Sequence, residues 1–151
     1  MKIFFHTQTN EMKSIIVIFA AFLVATTGAF AQKNIPAAAK AAFTKANPTA
    51  TDVKWDKESN GTFEANCKIN GVSSSLVYDK MGVLQETETE IAVTEIPTAV
   101  TEAVHKKYPK ATITGGDKIV NNKGVVKYEV DLKTGKRETE KQFDETGKEV
   151  K

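Results

Sequence analysis

The chain has one cysteine, two histidines, one tryptophan and four prolines in 151 residues, and its charges nearly cancel, at a formal net of +2. Each scarcity closes off a class of function. A single cysteine, Cys67, permits no intrachain disulfide. In an exported protein it either bonds a second molecule or sits in the core as a small hydrophobe. Past the N-terminal segment one histidine remains, His105. One Cys and one His far apart in sequence cannot assemble a zinc site of usual spacing. A Cys–His nucleophile pair would need Cys67 out of the core. Nucleophile elbows, H-E-x-x-H helices and phosphate-binding glycine loops are all missing. Near-zero net charge leaves no basic field for a phosphate backbone, so nucleic acid is not an expected partner. These absences argue against an enzyme and imply no cofactor.

What is present begins with a leader. Residues 15–24 form an apolar run preceded by Lys13, too short for a bilayer, which takes about 20 residues. Thr26-Thr27-Gly28 breaks the run, and Ala29-Phe30-Ala31 fits a small-x-small cleavage site. Residues 1–31 are therefore expected to be a signal peptide, removed to leave Gln32 first and sending the protein to the periplasm or outside the cell. An uncleaved anchor is the alternative. Met12-Lys13-Ser14 reads as a more natural start than Met1. No Cys follows the run to carry a lipid, and no apolar tail closes the chain, so no membrane attachment is expected after cleavage. Residues 32–151 hold 19 basic and 18 acidic residues.

The rest of the chain says one thing twice. Residues 35–51, opening Ile35-Pro36-Ala37-Ala38-Ala39, return without a gap as residues 96–112, opening Ile96-Pro97-Thr98-Ala99-Val100, at an offset of 61. Such self-similarity bears on architecture before any motif does. In the first copy Ile35, Ala38, Ala39, Ala42 and Phe43 recur at helical spacing; in the second, Ile96, Ala99, Val100, Ala103, Val104 and Tyr108 do. Pro36 and Pro97 suit a first turn. Asn47-Pro48 and Tyr108-Pro109 end each helix, because the residue before proline is pushed out of the α region.

Period-two alternation follows each helix. Strands are expected over 51–57, 62–69, 72–79 and 83–93, then over 112–120, 125–133, 136–144 and 148–151. Asn60-Gly61, Asn70-Gly71, residues 79–82, residues 121–124, Thr134-Gly135 and residues 144–147 supply the turns. Cys67 corresponds to Leu132 at an offset of 65, which favours the buried, inert thiol. The expected fold is α+β: a tandem repeat of two units, residues 32–93 and 94–151, each a helix followed by a four-stranded antiparallel sheet.

The doubled Ile-Pro…Pro-x-Ala helix, the Asp52-Val53-Lys54-Trp55 strand and the Asp-x-x-Gly turn before the last strand carry a resemblance. The chain resembles the PepSY-like proteins of the Bacteroidota envelope, which share the β-lactamase-inhibitor-protein fold. That resemblance spans residues 32–151, and its motifs are structural, not catalytic. Gly115-Gly116 departs from it, since Trp55 has no counterpart there, and a bulge is expected.

Binding candidates come from the sheet. Trp55 and Tyr78 are the aromatics a sheet face can offer to a partner, although Trp55 shares a strand face with Val53 and suits a core equally. Glu86, Glu88 and Glu90 recur with period two, about 7 Å apart on one strand face, where they attract a basic group or simply solvate an edge. Residues 79–82 and 144–147 lack the ligands of a calcium loop and read as turns. His105 and residues 136–141 read as solvent-exposed. The expected function is a non-enzymatic, monomeric, secreted binding module that docks or inhibits a protein or peptide partner, such as a peptidase. The alternative is an envelope carrier or sensor of a small ligand held between the two units.

Overall fold

Proline brackets both helices. α1 (Ala37–Ala46) follows Pro36 and α2 (Thr98–Lys107) follows Pro97. Lys40 and Thr101 donate their N–H groups to the carbonyls of those prolines at 3.2 and 3.1 Å. Each helix stops two residues before the next proline, with the intervening Asn47 donating its N–H to Phe43 O and Tyr108 to Val104 O. Ten residues make a marginal helix in water, so both depend on what they pack against. The structure, a computed structural model, describes residues 34–150; the leader expected over 1–31 lies outside them.

The strands are β1 (Thr51–Lys57), β2 (Phe63–Ile69), β3 (Val72–Tyr78) and β4 (Leu84–Glu90), then β5 (Thr112–Asn121), β6 (Val126–Thr134), β7 (Arg137–Asp144) and β8 (Glu149–Val150). A 3-10 turn, Val93–Glu95, leads into α2. The strand expected over 83–93 ends early, at Glu90.

The expected tandem of helix-plus-four-stranded-sheet units does not form. All eight strands make one antiparallel sheet in chain order, and the fold is mainly β with two helices among the described residues. Five residue pairs from Glu86↔Asn121 to Glu90↔Asp117 join β4 to β5. Beyond them, Ile91 donates to Gly116 O at 2.9 Å and Asn122 to Gln85 O at 2.8 Å. The physical reason is edge chemistry. Two separate sheets would each expose a row of unpaired N–H and C=O groups on β4 and β5, and pairing the two removes both rows.

Both helices cover the same sheet face. α1 lays Ala39 and Phe43 onto Trp55, Phe63, Ala65, Cys67, Leu76 and Tyr78, with Ile35 beside them. α2 lays Val100 and Val104 onto Tyr128, Val130, Leu132 and Phe143, with Ile96 beside them. Phe43 meets Trp55 and Tyr78 edge-on at ring separations of 5.6 and 6.4 Å, the geometry in which ring edges and faces attract. Cys67 is buried, and burial raises its thiol pKa, so little reactive thiolate forms.

Two turns are wedged against helix backbone. Gly82 has φ +81°, and a Cβ on it would stand 2.6 Å from Ala38 O. Gly147 has φ +83°, and a Cβ on it would strike Ala99 O. The turns holding these glycines are organised by one carboxylate each. Asp79 Oδ1 accepts from the N–H groups of Met81 and Val83, and Asp144 Oδ1 from those of Thr146 and Lys148. Gln85 Nε2 donates to the other oxygen of Asp79 at 3.2 Å and the Thr146 hydroxyl to Asp144 Oδ1 at 2.6 Å, so both aspartates are engaged within their own turns. Register shifts place bulges in β1 between Thr51 and Lys54 and in β5 between Ile113 and Gly115, so the second bulge falls just before the Gly115-Gly116 pair.

Two expectations follow. Gly82→Ala and Gly147→Ala should each cost about 1–3 kcal/mol in urea melts, through combined backbone strain and steric clash. Gly61→Ala, at φ +88° with nothing near it, should cost less. Cys67→Ala should cost about 1–2 kcal/mol as a small core truncation, and thiol reagents should label Cys67 only after unfolding.

Candidate functional site: the open face of the sheet

Register settles which side chains share the face turned away from the helices. From β1 and β2 come Lys54, Asp56, Glu64, Asn66 and Lys68. β3 adds Ser75 and Val77, paired with Glu88 and Glu86 of β4; Glu90 follows on the same side. β5 contributes Asp117 and Ile119, opposite Glu129 and Lys127 of β6, and Asp131 continues that row. On β7, Glu138, Glu140 and Gln142 stand opposite Lys133, Asp131 and Glu129. With Asp144 opposite Lys127, the face thus gathers eleven carboxylates and four lysines. Two of the lysines are paired, Lys68 with Asp52 at 3.5 Å and Lys133 with Glu138 at 3.1 Å. The near-zero net charge of the chain conceals this segregation.

Glu86, Glu88 and Glu90 do lie together here, at the seam between β4 and β5. Trp55 and Tyr78 do not, which corrects their assignment as surface anchors. Trp55 is 9% and Tyr78 2% exposed, both in the helix-covered core, where their rings are 5.9 Å apart. Trp55 pairs with Ala65 and Tyr78 with Phe63, so the same alternation that exposes Glu64 turns both aromatics inward. The apolar residues on the open face include Val77 and Val150, both half-buried, and Ile119, 3% exposed.

Crowding shows in the electrostatics. Glu88 is pushed up to about 7, first by burial, then by the charges of Glu129, Glu86, Glu64 and Asp117. Asp117 is pushed up to about 6 by burial and by Asp131, Glu129, Glu90 and Glu140. Asp131 and Glu140 are raised for the same two reasons. Neighbouring dipoles relieve part of the strain. Glu64 accepts from Asn66 Nδ2 at 3.0 Å and from Ser75 Oγ, and Glu129 accepts from Gln142 Nε2 at 3.0 Å. Sequence reading found the β4 glutamates but missed Glu64, Asp117, Glu129, Asp131 and Glu140. Asp117 and Glu140 have only glycine, threonine and lysine as neighbours, but Glu64, Glu129 and Asp131 alternate with buried apolar residues in their own strands. That signal marked them as outward-facing, while strand order was needed to bring them together. Among the described residues no three Cys, His, Asp or Glu side chains are grouped to hold a metal ion.

A separate cleft of about 370 Å³ lies on the helix side of β7, lined by Tyr108, Thr134, Arg137, Thr139 and Lys141. Residues 136–141, expected to be solvent-exposed, contribute two of its cations.

No family model matches the chain, and no curated relative does. Solved structures match its fold. A DUF2874 family protein of Bacteroides uniformis superposes with a TM-score of 0.67 at 22% identity, covering 77% of this chain and 86% of that one. A BLIP-like protein of Bacteroides fragilis gives 0.61 at 23%, covering 77% and 84%. A candidate periplasmic protein of Bacteroides eggerthii gives 0.69 at 15%, covering 77% and 86%. Among the described residues no helix is long and apolar enough to cross a membrane. The fold is BLIP-like, and it is shared with Bacteroides proteins of which one is named for the periplasm.

Proposed function

We propose that the protein is a non-enzymatic, exported binding module of the PepSY-like type, which docks a basic protein or peptide on the open face of its sheet. The observation that carries this reading is the face itself: eleven carboxylates from six strands of one sheet, with its central glutamate partly desolvated. Such a face steers a cationic partner and selects against acidic ones. Val77 and Ile119 give it a small apolar centre beside Glu86 and Glu88. Inhibition of a secreted peptidase is one outcome of such docking and rests on likeness of fold alone.

Docking and folding should respond oppositely to pH. Glu88 rises from 4.5 to about 7 on folding, so between those values the folded chain holds a proton that the unfolded chain releases. Stability should therefore increase as pH falls through that window, and be lowest above about 7. A basic partner prefers the ionised carboxylate, so affinity should fall over the same window. Glu88→Gln should raise the melting temperature by a few degrees at about pH 8 and flatten its dependence on pH. Melts of both proteins from about pH 8 to about pH 5 check this.

The function itself is tested by pull-down from an envelope extract at low salt. The retained partner should be basic, and its affinity for a combined E86Q, E88Q and E90Q variant should fall about tenfold, chiefly through slower association. Retention undiminished by that variant would place docking elsewhere. Turnover of a substrate by the purified protein would replace the reading with an enzymatic one.

A further inference from the structure

The two edges of the sheet are finished differently. On one side β1 is kinked by its bulge, and Asp52 is held there at φ 56°, a device that discourages further pairing. On the other side β8 is two residues long and pairs only with Gln142 and Phe143. Residues 137–141 of β7 therefore have no strand on their outer side among the described residues. Their inner side pairs with β6 in unbroken register from Thr134↔Arg137 to Lys127↔Asp144. Among the described residues, this leaves about 17 Å of regular, unbulged edge.

Every second one of residues 137–141 lines the cleft. Arg137, Thr139 and Lys141 stand on the helix side, level with Thr134 and with buried Leu132 and Val130. Their two cations, about 13 Å apart along the strand, flank Thr139, and Tyr108 shares the lining. Neither cation belongs to an ion pair among the described residues. Their strand neighbours Glu138 and Glu140 face the other way, opposite Lys133 and Asp131. Glu149, the nearest carboxylate on β8, is already taken by Lys107 Nζ at 2.5 Å and the Tyr108 hydroxyl at 2.8 Å.

We propose that the uncovered edge of β7 takes an extended acidic peptide as an added strand, with its carboxylates seated in the cleft at Arg137 and Lys141. Backbone pairing supplies affinity in this mode, and alternate side chains supply specificity. A strand placed there presents every second side chain to the cleft and the others to the side of Glu138 and Glu140. The complementary peptide therefore carries carboxylates with period two and neutral residues between them. This site lies at the end of the sheet, on the opposite face from the carboxylates of the proposed docking surface, and takes ligand of the opposite charge.

The probe is a blocked octapeptide alternating glutamate with threonine, titrated into the isotope-labelled protein in the form that cells accumulate. Amide shifts should concentrate on residues 137–141 and Tyr108, and hydrogen exchange should slow on β7. R137Q and K141Q should each weaken binding several-fold, and together about tenfold or more, whereas Lys45→Gln on α1 should leave it unchanged. Binding should also weaken with added salt. The alternating glutamine–threonine peptide should bind about tenfold less tightly than the glutamate one. Equal affinity for the two peptides would overturn the inference. So would identical shifts from free glutamate at the same concentration, since an anion alone would then suffice. Shifts elsewhere on the sheet, or affinity untouched by the double variant with its circular dichroism unchanged, would overturn it as well.

Discussion

Five residue pairs between β4 and β5 decide what kind of molecule this is. They run through Glu86, Thr87, Glu88, Thr89 and Glu90, a stretch with little apolar content to drive burial. Backbone hydrogen bonds hold the seam instead, and they place the glutamates of β4 beside Asp117 and, one strand further, near Glu129. Like charges across neighbouring strands oppose the pairing. The seam forms in spite of that repulsion, and it closes two rows of edge donors and acceptors that would otherwise stand open to another chain. One amide pair at the end of the seam helps: Asn122 Nδ2 donates to Gln85 Oε1 at 2.8 Å.

The two faces of the sheet obey different physics. The helix side is closed by aromatic and aliphatic packing, and its substitutions are felt as cavities. The open side holds charge that folding has concentrated and partly desolvated. Proteins commonly keep such unfavourable arrangements where a ligand is to relieve them. A carboxylate held partly protonated near neutral pH binds a cation and releases a proton together, which ties occupancy of the face to the acidity of its surroundings.

Local grammar was legible in the sequence. Proline placed the helix ends, Asn-Gly and Asp-x-x-Gly placed turns, and alternation told inward from outward residues, including Cys67 through its correspondence with Leu132. Lateral order was not legible. Nothing in residues 84–90 or 112–121 states which strand lies alongside, so one eight-stranded sheet was read as two sheets of four. The same gap hid the open face, whose carboxylates are scattered over some ninety positions of sequence and meet only by strand order. Trp55 and Tyr78 failed for a different reason. An aromatic on an alternating strand suits either face, and the helix contributing Phe43 decided the matter.

The turns also divide into sites that accept change and sites that refuse it. Gly61, Gly71, Gly124 and Gly135 look out on open space, whereas Gly82 and Gly147 press on helix backbone. A fluorophore, an affinity tag or a grafted recognition loop inserted beside Gly71 would hang free of the fold. The same insertion beside Gly82 would lift α1 from the sheet and uncover Phe43. Natural variation in length should follow the same divide, with long and short versions of the outer hairpins and a constant span between Asp79 and Val83 and between Asp144 and Lys148.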